Sequence, residues 1–158
     1  MKEKPNSIRT YDAEGFRRRA SCLCFRDKTE QEILLVTSSK DREKYVVPGG
    51  GIEPQEEAKA TAEREALEEA GVRGDLGRFI GTFEESLQVS NRNPNKEKKH
   101  RTKVFAFIVT EYLDDWDDKR SMGRSRQWFS FEEAKKRLTH KPIQVTYLEL
   151  LEKPERIT

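Results

Sequence analysis

Three glutamates, Glu65, Glu68 and Glu69, follow a glycine-rich stretch in the segment VPGGGIEPQEEAKATAEREALEEAGV at residues 47–72. On a helix that turns by about 100° per residue, their side chains share an arc of roughly 100°, while Leu67 and the interleaved alanines occupy the other side. Carboxylates that converge with carbonyl oxygens suit a hard cation such as Mg²⁺, which keeps bound waters and accepts phosphate oxygens as further ligands. The pattern predicts a metal site that serves a phosphate-bearing substrate.

A solvated helix face is the commoner reason for such a cluster of glutamates. Here, however, the acids lie at the C-terminal end of the predicted helix, where the macrodipole disfavours negative charge. The like-charged pair Glu65 and Glu69 also costs a few tenths of a kcal/mol. A divalent cation would remove this conflict, so the position of the glutamates favours a metal site.

The charges are sorted along the chain, although the formal net charge is only +2. Residues 1–26 carry seven Lys or Arg against three acids, and residues 92–103 carry six against one. Residues 53–69 hold seven acids against two bases, and residues 111–118 hold five acids and no base. An acidic centre flanked by basic segments suits a metal ion that holds a polyanion.

The elements that position these residues alternate between strands and helices. Strong helix formers run from about Pro54 to Ala70, and Gly71 stands where a C-terminal cap belongs. The polar residues 87–101 are predicted to form a long mobile loop, with a flexible insertion at about 87–97. The other predicted strands are FRRRASCLCFR, EILLVTSS, KYVV, LGRFIGTF, TKVFAFIVTEYL and RQWFSF, and the other predicted helices are FEEAKKRL and PIQVTYLELLEK.

The composition indicates one globular domain over residues 1–158. A chain of this length can bury a core without metal or disulfide staples. Its apolar runs are far shorter than the roughly 18 residues that cross a bilayer, and its first residues show no apolar h-region. These features predict a cytoplasmic or nuclear protein that has no membrane contact and no obligate protein partner.

The cysteines favour packing over metal binding. Cys22 and Cys24 are two residues apart on a predicted strand, which is a poor geometry for a disulfide. Zinc would need further ligands, and His100 and His140 are the only histidines. Both cysteines are therefore predicted to be buried thiols, and His140 and the two tryptophans are predicted to have structural roles.

The basic residues could bind the anion that a metal site implies, because guanidinium forks suit phosphate oxygens and lysines add point charge. Arg17, Arg18 and Arg19 alternate faces on a strand, so at most two of them can point at one ligand. The alternative interpretations are an edge strand protected by charge and, at residues 98–101, a solvated loop.

The glutamate segment has the spacing of a known motif. Across residues 50–72 the fixed positions are Gly50, Glu56, Arg64, Glu65, Ala66, Glu68, Glu69, Gly71 and Val72. This pattern resembles the Nudix box of hydrolases that cleave nucleoside diphosphates linked to other moieties, and nine fixed positions make chance agreement far rarer than for a short glycine motif. Ala66 stands where the family has a bulkier aliphatic residue, a difference in packing and not in chemistry.

Further segments extend the resemblance from about Arg9 to Tyr147. They are RTYDAEGFRRRASCLCF, VPGGGIEP, EEAGVRGDLGRFIGTFE, KKHRTKVFAFIVTE, DDWDD, GRSRQWF and HKPIQ. These segments resemble the diphosphoinositol polyphosphate phosphohydrolases, one branch of the Nudix family. The segment ESLQVSNRNPNKE before Lys98 is longer than the family's usual loop at this point.

The resemblance implies a Nudix fold, an α/β single domain in which a mixed sheet lies between helices (α/β/α) and the box forms loop, helix and loop. It implies that Glu65 and Glu69 bind Mg²⁺, with Mn²⁺ as a substitute, together with the Gly49 carbonyl. Arg64 would orient the glutamates by ion pairing, and Glu68 would be the general base that activates water. The residues by themselves predict only that one of the three carboxylates accepts a proton.

The resemblance also implies an activity, the Mg²⁺-dependent hydrolysis of diphosphoinositol polyphosphates with release of the β-phosphate. The implied substrate contacts are Arg9, Arg17, Arg18, Arg19, Ser38, Ser39, Lys40, Lys98, Lys99, His100, Arg124 and Lys141. Hydrolysis of diadenosine polyphosphates or capped RNA is the alternative activity, although no loop offers an obvious aromatic clamp for adenine. A non-catalytic sensor of polyphosphate or RNA is disfavoured, because an anion binder gains nothing from carboxylates in its pocket.

Overall fold

A computed structural model describes residues 8–90 and 93–151, with side chains for all of them except 88–90 and 93–97. The strands in this part of the chain are β1 (Arg17–Phe25), β2 (Glu32–Thr37), β3 (Tyr45–Val46), β4 (Gly49–Gly51), β5 (Val72–Ser90), β6 (Asn93–Tyr112) and β7 (Arg126–Ser130). The helices are α1 (Ala58–Glu65), which continues as a π-helical turn (Ala66–Ala70), α2 (Asp117–Met122), α3 (Phe131–Arg137) and α4 (Pro142–Leu151).

The strands form one mixed sheet in the order β3-β2-β1-β6-β5, with β4 added beside β1 and β7 beside β2. β1 runs parallel to β6, whereas it pairs with β2 and β4 in antiparallel fashion. The central place of β1 follows from its composition, because residues 20–25 are buried and nearly all apolar. Such a run is typical of a strand that is covered on both faces.

Two hydrophobic clusters cover the two faces of the sheet. One contains Leu23 of β1 together with Leu138 and Leu148, which lie at α3 and α4. The other contains Cys22 of β1 together with Ala62 of α1. Neighbouring residues of β1 separate in this way because successive side chains of a strand point to opposite faces. The predicted arrangement of a mixed sheet between helices is confirmed, and both cysteines are buried free thiols, as predicted.

The helix that carries the glutamates is shorter than predicted and changes form along its length. It begins at Ala58 and not near Pro54, because Gln55 has a left-handed backbone with φ of 66° that a right-handed helix does not contain. The turn Ala66–Ala70 is π-helical, a wider form that is frequent at functional sites. Gly71 ends it with φ of 66°, in the capping conformation predicted for it.

The prediction of a loop at residues 87–101 is wrong for the part of this segment whose backbone the structure describes. β5 extends to Ser90 and β6 begins at Asn93, so most of this segment is a long hairpin. Its base is already exposed at Leu87 and Lys98. An exposed strand pair needs no apolar alternation, because its register continues from the buried pairs nearer the sheet.

Residues 91 and 92 lie outside the described residues, as do the side chains of 88–97. The flexibility predicted for 87–97 therefore stays a prediction.

Two short elements lacked a sequence signal. β4 consists of three glycines, which have low strand propensity, and it is held by pairing with residues 19–21 of β1. α2 lies in the acidic segment and buries Asp118. Within the described ranges, the helices do not reach the length and apolar content that a bilayer span requires.

Candidate active site

Arg64 of α1 lies at the centre of the acidic cluster. Its Nε and Nη2 atoms donate to the two carboxylate oxygens of Glu56 at 2.8 and 3.0 Å, and its Nη1 atom donates to Glu65 at 3.1 Å. Glu68 and Glu53 lie farther from the guanidinium, at 3.5 and 3.8 Å. The bidentate pair with Arg64 lowers the pKa of Glu56 to about 2, so this pair stays charged at neutral pH.

Glu65 and Glu69 are buried, with 3% and 1% of their surface exposed. Glu69 Oε1 accepts a hydrogen bond from the backbone N–H of Gly49 at 2.9 Å. A Cβ atom on Gly50 would lie 2.4 Å from Glu65 Oε2, so only glycine lets the backbone come this close. Burial, and then the charge of Glu65, raise the pKa of Glu69 well above its usual value. Two buried neighbouring carboxylates gain from a cation between them.

The two carboxylate oxygens of Glu69 differ in their contacts. Its Oε2 atom is buried and has no hydrogen-bond partner among the described residues. In the same part of the chain, no group of three or more His, Cys, Asp or Glu side chains forms a cage for an ion. Mg²⁺ needs only one or two carboxylates, because it keeps several waters and takes oxygens from substrate phosphates. The residues present therefore fit a divalent cation that is shared with a phosphate ligand.

Glu68 differs from its two neighbours in exposure. Its side chain is 22% exposed, against 4% for the side chain of Glu65. Glu68 is therefore the member of the trio that water reaches most easily.

A cavity of about 240 Å³ adjoins this cluster, and its wall includes Glu69 and the three glycines of β4. Ten of the twelve predicted substrate contacts line it, so the fold brings together residues from opposite ends of the chain. These ten are Arg9, Arg17, Arg19, Ser38, Ser39, Lys40, Lys98, His100, Arg124 and Lys141.

Arg18 and Lys99 do not line the cavity, so their role as substrate contacts stays a prediction. Arg18 Nη1 lies 3.5 Å from Thr10 Oγ1, and Lys99 Nζ donates to the backbone oxygen of Glu14 at 3.3 Å. Each sits between two residues that do face the cavity. The cause is strand alternation, which lets at most every second residue reach one ligand.

The cavity is strongly basic. His100 is half-buried there, and burial followed by the charges of Arg19, Arg17, Lys98 and Arg9 lowers its pKa to about 4. The imidazole is therefore neutral at neutral pH, because a further positive charge is disfavoured. An anion with several phosphates would relieve this repulsion.

Arg124 is part of the cavity wall and is held rigidly. Its side chain is 2% exposed, its Nε atom lies 3.1 Å from Asp118 Oδ2, and its Nη1 atom donates to the Thr37 oxygen at 2.7 Å. The charge of Arg124 also opposes the rise in the pKa of Glu69. Its position is thus between the cavity and the carboxylate cluster.

Some residues of the cavity wall were not predicted from the sequence. Gln144 lines the wall, and its Oε1 atom accepts a hydrogen bond from the Val47 N–H at 2.9 Å. It follows Lys141 by three residues, a helical spacing that could have revealed it. Glu85 also lines the wall, and a single acid on a strand offers no signal of this kind.

Several known proteins of one family are similar to this chain. The family profile of the NUDIX domain matches residues 15–151. Diphosphoinositol polyphosphate phosphohydrolase 3-alpha of Mus musculus is 53% identical over 152 residues, which cover 96% of this chain and 87% of that protein. Diphosphoinositol polyphosphate phosphohydrolase 2 of Rattus norvegicus is 52% identical, and the match covers 96% of this chain and 79% of that protein.

A solved structure shows the same fold at low identity. The NUDIX hydrolase from Nitrosomonas europaea matches 84% of this chain and 86% of its own with a TM-score of 0.67 and 20% identity. Together with the profile match, this establishes the relationship that residues 50–72 indicated. The chain belongs to the Nudix hydrolase family, in the branch of the diphosphoinositol polyphosphate phosphohydrolases.

Proposed function

We propose that this chain hydrolyses diphosphoinositol polyphosphates and releases the β-phosphate, with Mg²⁺ as the metal. The observation that carries the proposal is that the basic cavity adjoins the carboxylate cluster. Seven Lys or Arg side chains line the basic cavity, and its wall is shared with the carboxylate cluster through Glu69 and β4. A ligand that carries many phosphates around a small ring would fill the basic cavity and present one pyrophosphate group to the carboxylate cluster.

The metal would be held by Glu65 and Glu69 with the carbonyl of Gly49. Enzymes of the Nudix family depend on a divalent ion, and the unused Oε2 atom of Glu69 fits that requirement. When bound, Mg²⁺ would polarise the phosphate and supply an acidic bound water, and Mn²⁺ would serve as a substitute. Arg64 would hold the glutamates in place through its hydrogen bonds to Glu56 and Glu65.

Glu68 is proposed as the general base that takes a proton from the attacking water. Its exposure supports this role, because a base must be reached by water and must not be committed to the metal. The proton of the water passes to the carboxylate as the oxygen attacks phosphorus, and the inositol polyphosphate leaves. The cavity cations would neutralise charge that accumulates on the phosphate oxygens.

The cavity suits an inositol polyphosphate better than a nucleotide. Among the described residues that line it, Tyr147 is the single phenyl, phenol or indole ring, and it is only 2% exposed. Besides the imidazole of His100, a base therefore finds no exposed ring there on which to stack. The related mouse and rat proteins are named for the inositol substrates. A cytoplasmic or nuclear location, with small polyphosphates as the partners, accords with this substrate.

The test compares substrates side by side. Purified protein with Mg²⁺ is incubated with diphosphoinositol pentakisphosphate, diadenosine hexaphosphate and a cap analogue, and phosphate release and products are measured, with Glu69→Gln as the inactive control. The proposal expects the highest kcat/KM for the inositol substrate and loss of turnover when the metal is chelated. A higher kcat/KM for either nucleotide substrate would overturn the assignment.

A further inference from the structure

The π-helical turn that carries Glu68 and Glu69 ends against an arginine from the other side of the fold. A helix terminus leaves carbonyl groups that need hydrogen-bond donors and carries partial negative charge. Here Arg126 Nη1 donates to the carbonyl oxygen of Ala70 at 2.8 Å and to that of Gly71 at 3.1 Å. A cation thus lies at the helix end where two acids also lie.

The guanidinium of Arg126 is itself fixed on three sides. It lies between the rings of Tyr112 and Trp116, at 3.6 and 4.0 Å from their centroids. Its Nη2 atom donates to the carbonyl oxygen of Leu113, whose own N–H donates to Gly71 at 2.9 Å. Stacking and hydrogen bonds together leave the arginine one orientation.

The helix end touches this arginine without free space. A Cβ atom on Gly71 would lie 2.7 Å from Trp116 Cδ2 and 2.9 Å from Arg126 Nη1. The guanidinium and the indole of Trp116 therefore lie directly against the backbone of Gly71. Glu69 is only two residues away, and its hydrogen bond to Gly49 N–H requires its present position.

We propose that Arg126 is a positioning residue that holds the catalytic turn, and so the carboxylates of Glu68 and Glu69, at the distance from β4 that metal binding requires. This inference rests on the proposed function of those two glutamates. Arg126 acts through the backbone, since it does not line the substrate cavity. Loss of Arg126 should then weaken metal binding and kcat and leave KM unchanged.

The test uses Arg126→Met, which keeps an apolar stem between the two rings and removes the donors, and Arg126→Lys, which keeps one charge without the fork. Arg26→Met is the matched control, because Arg26 also stacks on an indole, Trp128, at 4.6 Å but has no contact with the helix end among the described residues. Mn²⁺ affinity is measured by electron paramagnetic resonance without substrate. Protection of the Leu113 amide is measured by hydrogen exchange.

Arg126→Met is expected to weaken Mn²⁺ binding and lower kcat by about 10- to 100-fold each, the range typical of residues that orient metal ligands, with KM within about twofold of wild type. The Leu113 amide should exchange faster. Arg126→Lys should recover part of both losses, and Arg26→Met should match wild type in all four measurements. If Arg126→Met does not fold, the folded Arg126→Lys variant decides by the same measurements.

Wild-type Mn²⁺ affinity and kcat in a folded Arg126 variant would overturn the inference, as would a raised KM at unchanged kcat, which would make Arg126 a substrate contact. The outcome is separable from the proposed substrate. If wild type does not turn over the inositol substrate, the substrate assignment fails, while Mn²⁺ affinity and Leu113 exchange still judge Arg126.

Discussion

The backbone N–H of Gly49 donates to Glu69 Oε1 at 2.9 Å and so ties the last turn of the glutamate helix to β4. Gly49 is held by its pairing with Ser21 of β1, and a Cβ atom there would lie 2.9 Å from the carbonyl oxygen of Ala20, so the position requires glycine. One carboxylate oxygen is thereby used to fix geometry, and the other is the one proposed to bind a metal.

Glu69→Gln should abolish turnover while the fold stays intact. The amide oxygen can still accept from Gly49, but the charge that would bind the metal is lost, so kcat should fall by at least about 100-fold. Circular dichroism and thermal unfolding without metal should match or exceed wild type, because burial of an uncompensated carboxylate is removed. Glu65→Gln should likewise abolish turnover, although it also weakens the hydrogen bond from Arg64. Full activity in either variant would refute the metal assignment.

Glu68→Gln should separate chemistry from metal binding. If Glu68 is the base, kcat should fall by about 10²- to 10⁴-fold while Mg²⁺ affinity, measured by calorimetry, changes little. The contrast with Glu69→Gln is the internal control. An unchanged kcat would move the role of base to another carboxylate.

Lys98→Ala and Lys99→Ala form a matched pair of adjacent charge deletions. Lys98 lines the cavity, whereas Lys99 Nζ lies 4.9 Å from the centre of the Phe16 ring, outside that wall. Loss of one charged contact should raise KM for the inositol substrate about tenfold in Lys98→Ala, with almost no change in Lys99→Ala. Equal effects would mean that only overall charge matters.

Ionic strength provides an independent check of the same cavity. Salt screens charges over roughly 8 Å at physiological concentration, so KM for the inositol substrate should rise steeply with salt while kcat responds less. The KM for a linear diadenosine polyphosphate should rise less steeply. A KM for the inositol substrate that does not change with salt concentration would mean that the basic wall does not bind the substrate and serves only solubility.

His100 should make the ligand-free protein less stable in mild acid. Its pKa of about 4 lies below the usual value of 6.5, so between these limits the unfolded chain binds more protons than the folded one. Stability is full above about pH 6.5 and falls as the pH drops toward 4. The loss should be about 1–2 kcal/mol, since solvent screens a half-buried group. Urea unfolding at pH 7 and pH 5 measures the free energy of unfolding, and His100→Gln should lose less of it between these pH values than wild type. An equal loss would contradict the assignment of the acid sensitivity to His100.

Deletion of residues 90–95 should leave most activity, because the cavity residues Leu87 and Lys98 lie at the base of the hairpin. The remaining pair Gln88 and Glu97 can still close the two strands. Activity of the deleted protein is compared with wild type after its fold has been checked by circular dichroism. Loss of turnover in a well-folded variant would make the hairpin tip a functional part of the site.

The sequence by itself determined which residues form the acidic cluster. Arg64, Glu65, Glu68 and Glu69 lie within five residues of one another, and helical periodicity alone places them on one side. Most strands and the capping role of Gly71 were also predictable, because apolar pattern and backbone preference act locally. The start of the helix was missed because the backbone of Gln55 was not foreseen.

The tertiary structure alone decided which basic residues meet. The parallel pairing of β1 with β6 brings Arg17 opposite His100, and strand alternation then admits Arg19 and excludes Arg18. The cap that Arg126 provides to the glutamate turn also joins residues far apart in the chain. Such contacts depend on the register between distant strands, which is set by the burial of the whole sheet and by no local sequence preference.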